Sequence, residues 1–288
     1  MVLESLITPQ ISEKHPKQMF FFGAIFAFIA VIISYWVFYQ YSSLVMVFLT
    51  TIAAAPLIYN LIKYEEEKDT QQFSETNLLK EHLKALKVFL WLFIGVTIMF
   101  SIIYLVVPSE KSSVLFEAQI DTLIEINPSM NIQGQATGSS VSTSAFQNIF
   151  FNNIRVLVFC ILFSFLYGIG ALFILNWNAS VIAAAIGNVF RESFFMASAK
   201  AGGATFMTYI TSAGYSLLRF SIHGIPEIFA YIIAGFAGGI ISVAIIKYDF
   251  STKNFEKIIF DTSNLLIISF IILFLAAILE VYVTPIFI

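Results

Sequence analysis

Four ionisable side chains lie inside long apolar runs of this chain: Arg155, His223, Glu227 and Glu280. A charge at the centre of a bilayer costs about 2.5 to 3.5 kcal/mol on insertion scales, so such residues belong against a partner charge, a bundle interior or a water-filled path. Asn148, Asn152 and Arg155 recur at i, i+4 and i+7 and share one helical face, with Asn153 beside them. His223, Glu227 and Tyr231 are also spaced by four, and Pro226 among them removes one backbone donor. Counting about 1.5 Å per residue from the segment ends puts all four ionisable groups in the outer third of a membrane, where they can meet. The chemistry open to them is ion pairing that fastens three helices together, or a proton or solute path. His223 beside Glu227 would also add pH sensitivity near its ordinary pKa of about 6.5.

Two ligands on one helical face need a third to make a metal site, and none is specified, so neither a metal nor another cofactor is expected. A nucleophile elbow, a zinc-protease helix, a Walker loop and a dinucleotide fingerprint are all missing from the sequence. A non-enzymatic protein is expected on that ground.

The elements that must position these residues are membrane helices. The 288 residues are 59% hydrophobic and only 11% charged, and they contain several apolar stretches long enough to cross a hydrocarbon core about 30 Å thick, which excludes a soluble enzyme. A net charge of −3 argues against a nucleic-acid partner. The single cysteine, Cys160, lies within an apolar run and reads as a packing residue. The stretch from Met1 to Gln18 lacks the pattern of a removable signal peptide.

The fold class expected is all-α, a polytopic transmembrane bundle of about seven crossings in a cell membrane. The segments run about Met19–Phe38, Leu44–Ile62, Leu86–Val107, Asn148–Leu175, Asn178–Phe195, Ile222–Ile246 and Asn264–Thr284. Two regions follow: 1–85, a hairpin plus an amphipathic stretch, and 86–288, a membrane core carrying a loop at 108–147. Within that loop the Gly/Ser/Thr-rich run 134–144 reads as mobile, while Phe116, Ile120, Leu123 and Ile124 form the apolar stripe of a helix capping the bundle. Leu79, Leu83 and Leu86 suggest an interfacial helix leading into the third segment.

Ten of the 15 basic residues fall on one side of this threading, so the N-terminus is expected in the cytoplasm and the C-terminus outside. Gly235 and Gly239, with Gly168 and Gly170, form small-residue patches for close helix packing within the monomer, a seam between two copies being the alternative. Asn176, Trp177 and Asn178 read as the turn between the fourth and fifth segments.

Together these landmarks resemble the stage II sporulation protein M family of integral membrane proteins. The matching pieces are Asn152-Asn153-Ile154-Arg155 opening a crossing, Gly168-Ile169-Gly170, Asn178, His223-Gly224-Ile225-Pro226-Glu227, the run Gly235 to Gly239, and Glu280 followed by Pro285. The likeness covers roughly 86–288, and the hairpin over 19–62 reads as an addition. Ala179 stands where the family's turn usually has Gly after Asn. The resemblance implies a five-crossing core, the polar constellation, and a membrane scaffold that acts with envelope partners. The function expected is therefore a non-enzymatic scaffold in envelope or membrane remodelling, in contact with lipid and with membrane or envelope proteins. The alternative is a permease or an ion- or proton-coupled transporter working through the polar cluster.

Overall fold

The structure, a computed structural model, describes residues 8–69, 75–126, 143–166 and 168–284. Its elements are α1 (Pro9–Lys14), α2 (Gln18–Val37), a 3-10 turn (Tyr39–Tyr41), α3 (Ser42–Asp69), α4 (Glu75–Val106), α5 (Ser109–Leu115), α6 (Glu117–Ile126), α7 (Thr143–Ser164), α8 (Ile169–Lys200), α9 (Phe206–Lys247), α10 (Lys253–Ile278) and a π-helical turn (Leu279–Val283). Among the described residues seven helices, α2, α3, α4, α7, α8, α9 and α10, are long and apolar enough to cross a membrane. The protein is an all-α membrane bundle. That follows from the solvent: lipid offers no partner for backbone N–H and C=O groups, and a helix satisfies its own. Buried hydroxyls are handled in the same way, with Thr50 and Thr51 donating to the carbonyls of Met46 and Val47 at 2.7 and 2.8 Å.

Two expected boundaries move. The fourth and fifth segments are not divided at residues 176–178, which lie inside α8. Asn176 donates to Thr51 Oγ1 of α3 at 3.1 Å, and Asn178 to the Ile174 carbonyl of its own helix at 2.8 Å, so both amides are satisfied without a turn. The chain reverses instead between Ser164 and Ile169, where Gly168 has φ of 75°, the left-handed conformation that glycine adopts most readily. The sixth segment also starts early. Thr205 and Thr208 form a reciprocal capping box at the head of α9, with bonds of 3.2 and 2.9 Å, so the helix begins at Phe206 rather than Ile222. It then continues through Pro226 to Lys247, 42 residues in all, or about 63 Å at about 1.5 Å per residue. Its first turns pair with the end of α8, where the Phe194 and Tyr209 rings lie 4.4 Å apart.

α9 is the axis of the bundle, packed by α7, α8 and α10. From Ala230 to Ile240 every residue of it is buried, and six of those eleven are Ala or Gly. Gly168 and Gly239 mark a close crossing, because a Cβ on Gly239 would stand 3.5 Å from the Gly168 Cα and 2.8 Å from Ile62 Cδ1. Gly235 meets Ala171, and Gly170 lies against the Phe163 backbone. A second close crossing joins α2 to α4, where a Cβ on Gly23 or Gly95 would collide with the carbonyl oxygens of Leu92 and Phe20 respectively. α5 and α6 cap one end of the bundle, with Phe116 wholly buried. In α4 the buried stripe is Leu78, His82, Ala85 and Phe89, while Leu79 and Leu83 point outward. The stripe is one residue out of step with the expected interfacial face because His82 turns inward to meet Glu65. The run at 134–142 and Pro285 lie outside the described residues.

The end opposite the cap is closed by charge. Lys68 Nζ lies 2.5 Å from Glu65 and 2.8 Å from Glu13, and the second carboxylate oxygen of Glu65 lies 2.8 Å from His82 Nδ1. Lys247 reaches Glu66 at 2.9 Å. These contacts tie α1, α3, α4 and α9 together at what we call the basic end. Burial, reinforced by the neighbouring Glu65 carboxylate, pushes the Glu13 carboxyl up to about 8 against the pull of Lys68.

Two outcomes follow from this packing. Gly168→Ala should lose about 1 to 2 kcal/mol for the left-handed backbone and more for the collision with Ile62. Gly202→Ala, at φ 71° with open space around it, should lose the backbone part alone. Thermal melting in detergent separates the two, and equal losses would mean that the Ile62 contact contributes nothing. For Glu13, the folded state holds the proton more tightly than an exposed carboxyl of pKa 4.5 does. Its contribution to docking α1 is therefore fully present below about pH 4.5 and is lost as pH rises through about 8. Wild-type protein should melt lower at about pH 9 than at about pH 6 by a margin that Glu13→Gln removes, and an identical margin in both proteins would contradict this assignment.

Candidate functional site

A cavity of about 940 Å³ opens at the capped end, and its lining includes Asn152, Asn153, Arg155, His223, Glu227 and Glu280. Five elements converge to build it. The first turns of α7 present Asn148, Asn152, Asn153 and Arg155, as their helical spacing requires. The middle of α8 contributes Trp177 and Asn178, α9 contributes His223 and Glu227, and the π-helical turn contributes Glu280. Glu125 of α6 lines the same space. At this size the cavity sits at the upper end of the range typical for small-molecule sites, about 300 to 1,000 Å³.

Each polar group has a distinct environment. Glu227 accepts a 2.8 Å hydrogen bond from the hydroxyl of Tyr231 one turn further along α9, and Tyr231 is fully buried beneath it. His223 Nδ1 lies 3.1 Å from Thr284 Oγ1, whose single proton is donated to the Leu279 carbonyl at 3.0 Å. Nδ1 must then be the donor to Thr284, which leaves Nε2 as the acceptor of the neutral ring. Asn153 is only 5% exposed, and its Nδ2 has no hydrogen-bond partner among the described residues. Pro226 has no N–H, so the Ile222 carbonyl lacks its usual donor at i+4. The π turn around Glu280 is a widening often found at functional sites.

The expected pairing of Arg155 with Glu227 or Glu280 is not there. Among the described residues no ion pair within 4.0 Å reaches any of the three. Arg155 is exposed, Glu227 bonds to its own helix, and a cavity of this size can hold the water that stands in for a counter-charge. His223 likewise meets Thr284 rather than Glu227. The four packing glycines, Gly168, Gly170, Gly235 and Gly239, do not line the cavity and lie below it in the closed part of the bundle.

Asn178, expected in a turn, lines the cavity instead. The pattern Ile174, Asn178, Val181, Ile182, at i, i+4, i+7 and i+8, is the helical face that could have revealed this from sequence. Arg191 also escaped notice. Its guanidinium donates to the carbonyls of Tyr104 and Val107 at 2.5 and 3.3 Å and to Ser112 at 3.2 Å, so it satisfies the C-terminus of α4 and fixes α5 over it. A single arginine toward the end of a crossing, opposite another helix's end, gives no periodic signal.

A helical bundle with seven apolar crossings and a polar cavity at one end defines a multi-spanning membrane protein. The family model described as Stage II sporulation protein M matches residues 18–285, and the chain belongs to that family. The matched region takes in the hairpin of α2 and α3 as well as the rest of the bundle. No curated protein and no solved structure matches the chain significantly.

The two arginines should behave differently. Arg191→Ala should lose about 1.5 to 3 kcal/mol, the worth of hydrogen bonds to a charged group. Arg155→Ala should change stability by no more than about 0.5 kcal/mol, as at an exposed position without a partner. Melting in detergent reads both, and a large loss at Arg155 would show that it carries a structural contact.

Proposed function

We propose that this protein is a permease-type membrane protein that takes a molecule bearing polar groups into the cavity of Arg155, His223, Glu227 and Glu280 and moves it across a cell membrane. The basic end faces the cytoplasm in this reading, in keeping with the bias of lysine and arginine. The observation that carries it is the cavity itself. An arginine and two carboxyl groups line one large space without pairing, whereas a purely structural cluster would be dry and paired. The two ends of the bundle support the same reading. One is open and lined by polar groups; the other is shut by buried ion pairs of Lys68, Glu65 and His82 and by Lys247 with Glu66. A path closed at one side and open at the other is what alternating access requires of either of its end states.

Reconstituted into liposomes, the protein should carry a proton- or ion-coupled flux between about pH 5 and 8. Glu227→Gln should abolish that flux while the melting temperature stays near that of the wild type. If the liposomes stay tight to a panel of ions and solutes, and the protein instead captures an envelope partner through residues 108–147, the permease reading fails and a scaffold role remains.

A further inference from the structure

We propose that the cavity accepts a zwitterionic amphiphile, with an anionic phosphate or carboxylate at Arg155, a cationic ammonium at Glu227 and Glu280, and an apolar tail leaving past Phe151 and Phe159. The inference rests on the reading of this cavity as a ligand site. It begins from charge. Arg155 and the two carboxylates line one space, yet no ion pair within 4.0 Å joins them among the described residues. A single anion would complement the arginine and be repelled by the carboxylates, and a simple cation would meet the reverse. A ligand carrying both charges complements all three.

Asn153 gives an independent reason to place a ligand here. Its amide is nine-tenths buried, lines the cavity, and has an Nδ2 without a partner among the described residues. An unsatisfied buried donor costs about 1 to 3 kcal/mol; Nδ2 is closed off as it stands, and a turn of the Asn153 side chain toward an acceptor on the ligand beside Arg155 recovers that cost. On the opposite wall the neutral His223 keeps Nε2 as an acceptor, which suits an ammonium.

The mouth argues for the tail. α7 is the least buried crossing helix apart from its contacts with α8, α9 and α10, and two of its residues that line the cavity are on the exposed surface: Phe151, 64% exposed, and Phe159, 44% exposed. A crossing helix shows such a surface to lipid, so the cavity opens sideways toward the acyl chains as well as toward water. The further lining by Ile149, Val156, Ile174 and Phe220 is apolar, and a free amino acid would leave that surface wet.

Trp177 lies in the cavity wall and reports on occupancy. With Trp36→Phe and Trp91→Phe removing the other two tryptophans, its fluorescence can be titrated with four probes in detergent. These are dihexanoyl phosphatidylethanolamine, dihexanoyl phosphatidylglycerol, tail-less glycerophosphoethanolamine, and a free amino acid. Phosphatidylethanolamine should bind at least about tenfold more tightly than each of the others, the ratio one charge-assisted contact supplies. Arg155→Ala should remove binding of both lipids. Glu227→Gln with Glu280→Gln should abolish the preference for phosphatidylethanolamine and keep the Arg155-dependent binding of phosphatidylglycerol, a swap that misfolding cannot mimic. Equal affinity of the wild type for the two lipids, no binding of either, or equal affinity for a tail-less compound would overturn the proposal. Binding is read without transport, so lipid selectivity in protein that carries no flux would sink the permease reading alone. Flux without lipid selectivity would sink this one alone.

Discussion

The close packing of α9 is the constraint on which everything else depends. In lipid the tails are as apolar as any side chain, so helices associate through van der Waals contact and through small residues that let backbones approach. From Ala230 to Ile240 more than half of α9 is Ala or Gly, and α7, α8 and α10 close upon it. One turn earlier the composition changes. At Glu227 and His223 the side chains are polar and longer, Pro226 leaves a carbonyl without its donor, and the surrounding helices stand apart around a cavity. A single helix therefore makes a sealed half and an open half, and the boundary lies at Tyr231.

The two halves treat charge in opposite ways. At the basic end Glu65, Lys68 and His82 are buried and in contact, because removing charges from water is tolerable only where partners and geometry replace the hydration. At the cavity end Arg155, Glu227 and Glu280 lie apart, and the space between them is what remains to solvate them. The same residue types thus act as a fastening at one end and as a receptive surface at the other. Distance from a partner decides which.

Much of this was legible in the sequence. Seven apolar runs gave seven crossings, since length and composition are all that lipid asks of a helix. The polar spacing in α7 and α9 placed Asn152, Asn153, Arg155, His223 and Glu227 on inward faces, because helical periodicity survives any tertiary arrangement. What periodicity does not carry is the angle at which helices meet. Asn178 was misplaced because an Asn-Trp-Asn run resembles a turn, while the real reversal depends on one glycine with positive φ. The pairing of Arg155 was misjudged because equal depth along helix axes says nothing of the gap between them. Glu13, Glu65, Lys68 and His82 share no periodic pattern, and only the fold brings residues 55 positions apart to a contact of 2.8 Å.

The boundary at Tyr231 also joins the two ends. Its hydroxyl holds Glu227 in the cavity floor, and its ring lies in the buried stretch of α9 that leads to Phe236. The Phe236 ring meets the edge of His82 with centroids 5.4 Å apart; His82 contacts Glu65, Glu65 contacts Lys68, and Lys68 contacts Glu13 of α1. The floor of the cavity and the closure of the basic end are thus both carried by α9, the first through Tyr231 and the second through Phe236 against His82. The ion pairs that close the basic end stand directly behind that ring.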